Sequence, residues 1–338
     1  MTRTRGNTNA IKNIQSFNVN LSCVIDPATR KIACERCEKF FDCANEDKWK
    51  IYGGGRLSQA REKMASIKYK LAIVGGKGGV GKTALATNLG AELARRGYSV
   101  AILDLDFDGS NVPRMMGVAG ERLKRGPNGI QPVSSDSGVA VVSLGNVVGT
   151  DQIVTWYTES RRQATEELVL NVDYGDRDFL IVDLPPGTSA ATVNMMICIP
   201  DLTGAVLVTV PSEVSQDVAL RASNICSRAG VAALGVVENM SAHHCPHCGH
   251  ETLLFAQGGG EHLSRTTNSP LLGKVPIDGK LALACEEGVP VVLSHRDAPS
   301  AVALRAIVDR LLPLAQEVKR DVSHFGDQGK RAGMWSDF

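Results

Sequence analysis

No stretch of the 338-residue chain approaches the ~18 uninterrupted apolar residues that a membrane-spanning helix needs, so a helical integral membrane protein is excluded. A secretory signal is missing too. Met1 to Leu21 is polar and basic, with no apolar stretch running into a small-residue cleavage site, and a cytoplasmic location is expected. There is no internal repeat. Net charge is nearly absent at +1, but residues 1–70 hold 14 Lys and Arg against 7 Asp and Glu, which makes a basic arm. Between Glu35 and Asp47 those charges alternate with acids, and they are not interleaved with aromatics, so a solvated surface is expected rather than a nucleic-acid contact. What is present, 43% apolar and 22% charged residues, is ordinary for a soluble globular chain able to form one large core.

Nine cysteines in a chain without an export signal point to metal ligands or buried thiols, because the cytosol keeps thiols reduced. Cys23, Cys34, Cys37 and Cys43 crowd one N-terminal stretch, and Cys245 and Cys248 form a Cys-x-x-Cys pair. Cys198, Cys226 and Cys285 stand alone and are expected to be packed side chains. Residues 1–20 lack apolar periodicity and are expected to be a flexible tail. Residues 21–52 have too few aliphatics for a core and need a staple, for which a metal centre is available. Residues 53–69 supply a hinge, Gly53-Gly54-Gly55, and a short charged helix over Leu57 to Lys68.

From residue 70 to about 320 the pattern alternates strand and helix. Apolar runs at Leu71–Val74, Val100–Leu103, Phe179–Val182, Ala205–Val210, Leu234–Val237 and Leu271–Val275 are separated by helical segments. One of these carries Leu85, Leu89 and Leu93 on one face and stops at Gly97; another spans about Ser300 to Val318. Near-continuous apolar strands between helices predict an α/β, doubly wound, mostly parallel sheet covered on both faces. Residues 321–338 are glycine-interrupted and are expected to be a flexible C-terminus.

Directly after the first strand and opening a helix comes Gly76-Lys77-Gly78-Gly79-Val80-Gly81-Lys82-Thr83, a phosphate-binding loop in the context that makes the pattern specific. Glycines let consecutive N–H groups face a phosphate and the helix terminus adds its dipole. Lys82 reaches the β and γ oxygens, and the Thr83 hydroxyl suits Mg2+. Gly76 to Ala84 are therefore expected to cradle ATP. Two Asp motifs follow, each at a strand end where a doubly wound sheet presents its ligands. Asp183, after Phe179–Val182, is expected to hold Mg2+ through water, and Gly187 in Pro185-Pro186-Gly187 to bring an N–H to the γ-phosphate. Asp104, Asp106 and Asp108 end the second strand. For Cys245-Pro246-His247-Cys248-Gly249 the local residues leave zinc and iron–sulfur open, since the pattern is also half of a zinc ribbon; His243, His244, His247 and His250 read as surface residues.

The spelling Lys77-Gly78-Gly79-Val80-Gly81-Lys82-Thr83 resembles the deviant phosphate loop of the MinD, ParA and nitrogenase-reductase superfamily. Gly235-Val236-Val237-Glu238-Asn239-Met240-Ser241, the Cys-x-x-Cys, Leu272 to Asp278 and Glu287-Gly288-Val289-Pro290 resemble the Mrp/ApbC iron–sulfur cluster carrier ATPases over roughly residues 70–312. The resemblance implies a homodimer in which Lys77 crosses to the partner's nucleotide. It gives Asp106 the attacking water, Asp104 the magnesium shell, and Asn239 and Pro276 the adenine. Cys245 and Cys248 of two chains would share a bridging 4Fe-4S cluster passed to apoproteins. The N-terminal cysteines resemble the extension of the cytosolic nucleotide-binding scaffolds and imply a second 4Fe-4S centre per chain, with zinc as the alternative; the family's first gap, before Cys34, is longer than here. The chain departs from the family at Ala190, usually acidic, and at Trp156-Tyr157-Thr158-Glu159. An ATP-gated electron donor is the alternative function. A positioning ATPase acting on DNA or membrane is disfavoured, since Ser323 to Phe338 forms no amphipathic helix and no basic stripe appears.

Overall fold

The computed structural model describes residues 23, 56–147, 158–187, 192, 196, 198–228, 230–244, 247–248, 250–253 and 258–324. Cys34, Cys37, Cys43, Cys245, the hinge at 53–55, Trp156-Tyr157, residues 188–190 and 325–338 lie outside them. In chain order the elements are α1 (Arg56–Lys63), β1 (Ile67–Val74), α2 (Lys82–Arg95), β2 (Val100–Asp104), β3 (Lys124–Gly126), β4 (Gly129–Gln131), β5 (Val133–Ser134), β6 (Ala140–Ser143), α3 (Thr158–Asn171), β7 (Arg177–Asp183), β8 (Gly204–Thr209), α4 (Glu213–Arg228), β9 (Ala233–His244), β10 (Glu251–Thr252), α5 (Gly259–Thr266), β11 (Leu271–Ile277), α6 (Gly279–Glu287) and α7 (Pro299–His324).

The strands alternate their side chains between two buried layers. In β1, Leu71 and Ile73 join one core with Leu85 and Leu89 of α2 and Leu304 and Ile307 of α7, while Ala72 and Val74 join the other with Leu168 of α3 and Ala219 of α4. Both faces are covered, which is why the strands read as unbroken apolar runs. The sheet order is β10-β9-β8-β1-β7-β2-β6-β5, with β11 beside β9. Pairing is parallel throughout except at β5 and β10. β1 therefore lies between β7 and β8, both of which come later in the chain, and this is the switch point at whose carboxyl edge such sheets bind ligands.

Four sequence expectations change. The charged helix stops at Lys63, and residues 67–69 already belong to β1; Ala60, Met64 and Ile67 are buried, so α1 packs into the core. The antiparallel β3–β4 hairpin and the short β5–β6 pair went unread because each is at most four residues long and bounded by glycine or serine. β9 continues seven residues past Val237 to His244, where polar residues mask it. α7 runs on to His324, into the tail expected from 321.

Candidate nucleotide site and cysteine hairpin

The carboxyl ends of three neighbouring strands converge on one point. In register, Asp183 of β7 lies beside Ile73 of β1 on one side and Asp104 of β2 on the other. The chain leaves β1 at Val74, turns through the glycine loop and enters α2 at Lys82, so the loop sits over the two carboxylates. Gly81 precedes α2 with φ of +88° and offers no side-chain cap, which leaves first-turn N–H groups for an anion. Gly76 is required by space: a Cβ there would stand 2.2 Å from the Val218 carbonyl oxygen of α4. Lys77, Gly78 and Gly79 are exposed at the loop's crest.

One buried cation feels two of the three carboxylates gathered here. Lys82 is 6% exposed; burial lowers its pKa, against the pull of Asp183 and Asp106. Asp104 is fully buried, and desolvation followed by Asp183 drives its pKa well up. The Ser143 hydroxyl (2.9 Å) and the Asp106 N–H (3.0 Å) both donate to it and oppose that rise. Burial raises Asp183 as well, with Thr83 and Lys82 opposing. Neither Asp183 oxygen accepts a hydrogen bond of ordinary geometry, although the Thr83 hydroxyl is near enough to oppose the rise. Asp106, half-buried, is raised by desolvation and secondarily by Asp108, while Lys82 opposes.

Two orphaned carboxylate oxygens beside a hydroxyl, with negative charge in excess, are a hard donor set that fits Mg2+. Asp108 is exposed and pairs with Arg161 of α3 at 2.6 Å. Gly187 follows at φ of +104° with open space around it. Ser143 escaped the sequence reading; the apolar run Val139–Val142 before it was the available signal.

The far side of the loop is closed by β9. Asn239 donates from Nδ2 to the Val80 carbonyl at 2.9 Å, and it pairs in register with Val275, next to the buried Pro276. Pro276 thus lies one residue beyond the strand neighbour of Asn239. β9 and β10 form a hairpin, His244 opposite Glu251, and the turn between them carries the exposed Cys248; Cys245 is outside the described residues. Cys198 and Cys226 are buried, and Cys285 is half-buried. Cys23 is half-buried, and its three sequence partners fall outside the described residues.

A phosphate loop, a strand-end Asp pair and a parallel sheet with this order define a P-loop ATPase. The fold is shared with the MinD cell-division ATPase of Pyrococcus furiosus (TM-score 0.54, 23% identity, 73% of this chain and all of that one). The chain belongs to the ParA-type family of NUBPL iron-transfer P-loop NTPases, whose model matches residues 66–312. It is 37% identical over 255 residues to the iron-sulfur cluster carrier protein of Saccharolobus solfataricus, covering 75% of this chain and 86% of that one. To the protein of the same name in Pyrococcus abyssi it is 39% identical over 280 residues, 80% and 94% of the two. A nucleotide-binding protein of Archaeoglobus fulgidus, solved with ADP, superposes with a TM-score of 0.62 at 30% identity, over 69% of this chain and 91% of that one.

Proposed function

We propose that the protein is an ATP-dependent carrier that holds a 4Fe-4S cluster between Cys245 and Cys248 of two identical subunits and hands it to apoproteins. One observation carries the reading: Asn239, whose amide touches the phosphate loop, lies on the same strand that ends in the cysteine hairpin. A change at the nucleotide is thereby one strand away from the cluster ligands. Thiolates suit the cargo.

Lys82 balances charge on the β and γ oxygens, and Gly76 to Ala84 direct N–H groups at the phosphates. Thr83 and, through water, Asp183 would hold Mg2+, which supplies charge neutralisation, and Asp104 would support the magnesium shell. Asp106 orients the attacking water, and Gly187 contributes an N–H to the γ-phosphate. The exposed Lys77 crosses to the nucleotide of the second subunit, whose approach completes both sites. Asn239 and Pro276 flank the adenine. Cys23, Cys34, Cys37 and Cys43 hold a second cluster. Among the described residues no helix is long and apolar enough to cross a membrane, and the setting we assign is the cytoplasm.

The test is anaerobic reconstitution followed by iron, sulfide and zinc analysis of the wild type and of Cys245→Ala/Cys248→Ala. Iron and sulfide that fall in the double variant support the carrier; zinc alone, or unchanged cluster content, sinks it. Transfer to an apo-ferredoxin, with ATP and without, separates carriage from electron donation.

A further inference from the structure

Glu238 has no part in the site as described, yet it is a carboxylate 1% exposed, immediately before Asn239. Its Oε2 accepts the backbone N–H of Gly260 at 2.5 Å, in the first turn of α5. Its Oε1 lies 3.5 Å from Lys274 Nζ of β11, and Lys274 in turn pairs with Glu261 of α5 at 2.7 Å. The fit is close: a Cβ on Gly260 would stand 2.8 Å from Glu238 Cβ and 3.0 Å from Leu271 Cδ1.

Helices ordinarily satisfy a first-turn N–H with a Ser, Thr, Asp or Asn at the cap, at no loss to anything else. Here the cap position is Gly258, which offers no side chain, and the acceptor comes from a residue 22 positions away. Burying a carboxylate for a service a local residue could perform is unfavourable unless the distant tie has its own value. What it ties is specific. Between Glu238 and Gly260 the chain runs out along the rest of β9, turns through the β9–β10 hairpin that carries Cys248, and comes back to α5. This outer part of β9 is irregular: Met240, a non-glycine residue, has φ of +55°, and the pairing with β11 slips register between the pairs Val275–Asn239 and Ile277–His243. The contact joins the two roots of this excursion, and Lys274 anchors both to β11.

We propose that Glu238 is a positioning residue for the cysteine hairpin, holding its two roots together so that the thiolates are presented at a set place beyond the nucleotide loop. The proposal rests on the carrier reading for its purpose, but its structural content can be measured separately. Hydrogen exchange on the full chain, without cluster, would compare wild type, Glu238→Ala and Glu238→Gln. In the Ala variant protection of β10 and α5 should fall at least about tenfold, as expected for losing a hydrogen bond to a buried charge, with β1 and β7 unchanged. The Gln variant keeps an oxygen for the Gly260 N–H and should stay within about threefold of wild type. Unaltered protection in Glu238→Ala, a loss of equal size in β1 and β7, or equal losses in Ala and Gln would each overturn the assignment. Iron and sulfide retention against a chelator, measured on the same proteins after reconstitution, should fall in Glu238→Ala. Retention equal to wild type would also overturn it, whereas a wild type that takes up no cluster defeats the carrier reading and leaves the exchange result to judge Glu238.

Discussion

Gly76→Ala is the sharpest perturbation of the phosphate loop, because the reason for glycine there is space and not backbone conformation: Gly76 is absent from the positive-φ residues. The added methyl would stand 2.2 Å from the Val218 oxygen and 2.4 Å from its carbonyl carbon, whereas ordinary contact begins near 3.4 Å. Both atoms are backbone of α4, so no rotamer change relieves the clash, and the loop and α4 must part by about 1 Å. Overpacking of this kind costs about 1–3 kcal/mol, which for a domain of this size lowers Tm by about 2–4 °C per kcal/mol. Gly78→Ala is the control, since its Cβ would meet only Pro186 Cβ at 4.0 Å, and it should change stability by less than about 0.5 kcal/mol. Denaturant unfolding gives the first comparison. Equilibrium titration with a fluorescent ATP analogue gives the second, where displaced N–H groups should weaken binding by Gly76→Ala at least about tenfold. Equal stability and equal affinity for wild type and Gly76→Ala would refute the reasoning, because the loop would then be free of α4.

Asp183→Asn removes a buried charge whose oxygens lack partners, so the ligand-free protein should be as stable as wild type or more so by about 1 kcal/mol, while Mg2+-dependent ATP hydrolysis is lost; reduced stability with hydrolysis retained would contradict this. The same group sets a pH dependence. Its folded pKa lies above the ordinary 3.8, so the folded state binds the extra proton, and the associated stability is complete below 3.8 and disappears as pH rises through the folded value. Ligand-free stability should therefore decline across that window by at most about 1.4 kcal/mol per pH unit, and Asp183→Asn should flatten the decline. Denaturant midpoints from pH 4 to 8 read this, and identical slopes for the two proteins would count against it. Asn239→Ala loses the bond to Val80 and should weaken ATP binding about tenfold, with a smaller effect on GTP; equal losses for the two nucleotides would remove Asn239 from adenine recognition.

Much of this molecule was legible in one dimension because the relevant physics is local. A glycine loop between an apolar strand and an amphipathic helix is specified by neighbours in the chain, and so are Lys82, Thr83, Asp104 and Asp183 at strand or helix ends. Unbroken apolar runs announced strands buried on both faces. The rest depends on contacts between residues far apart in sequence, which no spacing encodes. That Gly76 is pinned by Val218 of α4, that Ser143 supports Asp104 from β6, and that Asn239 leans on Val80 emerged only when the strands were laid side by side. Glu238 is the clearest case: in the chain it is one acidic residue at the end of an apolar run, and only packing buries it against Gly260 and Lys274.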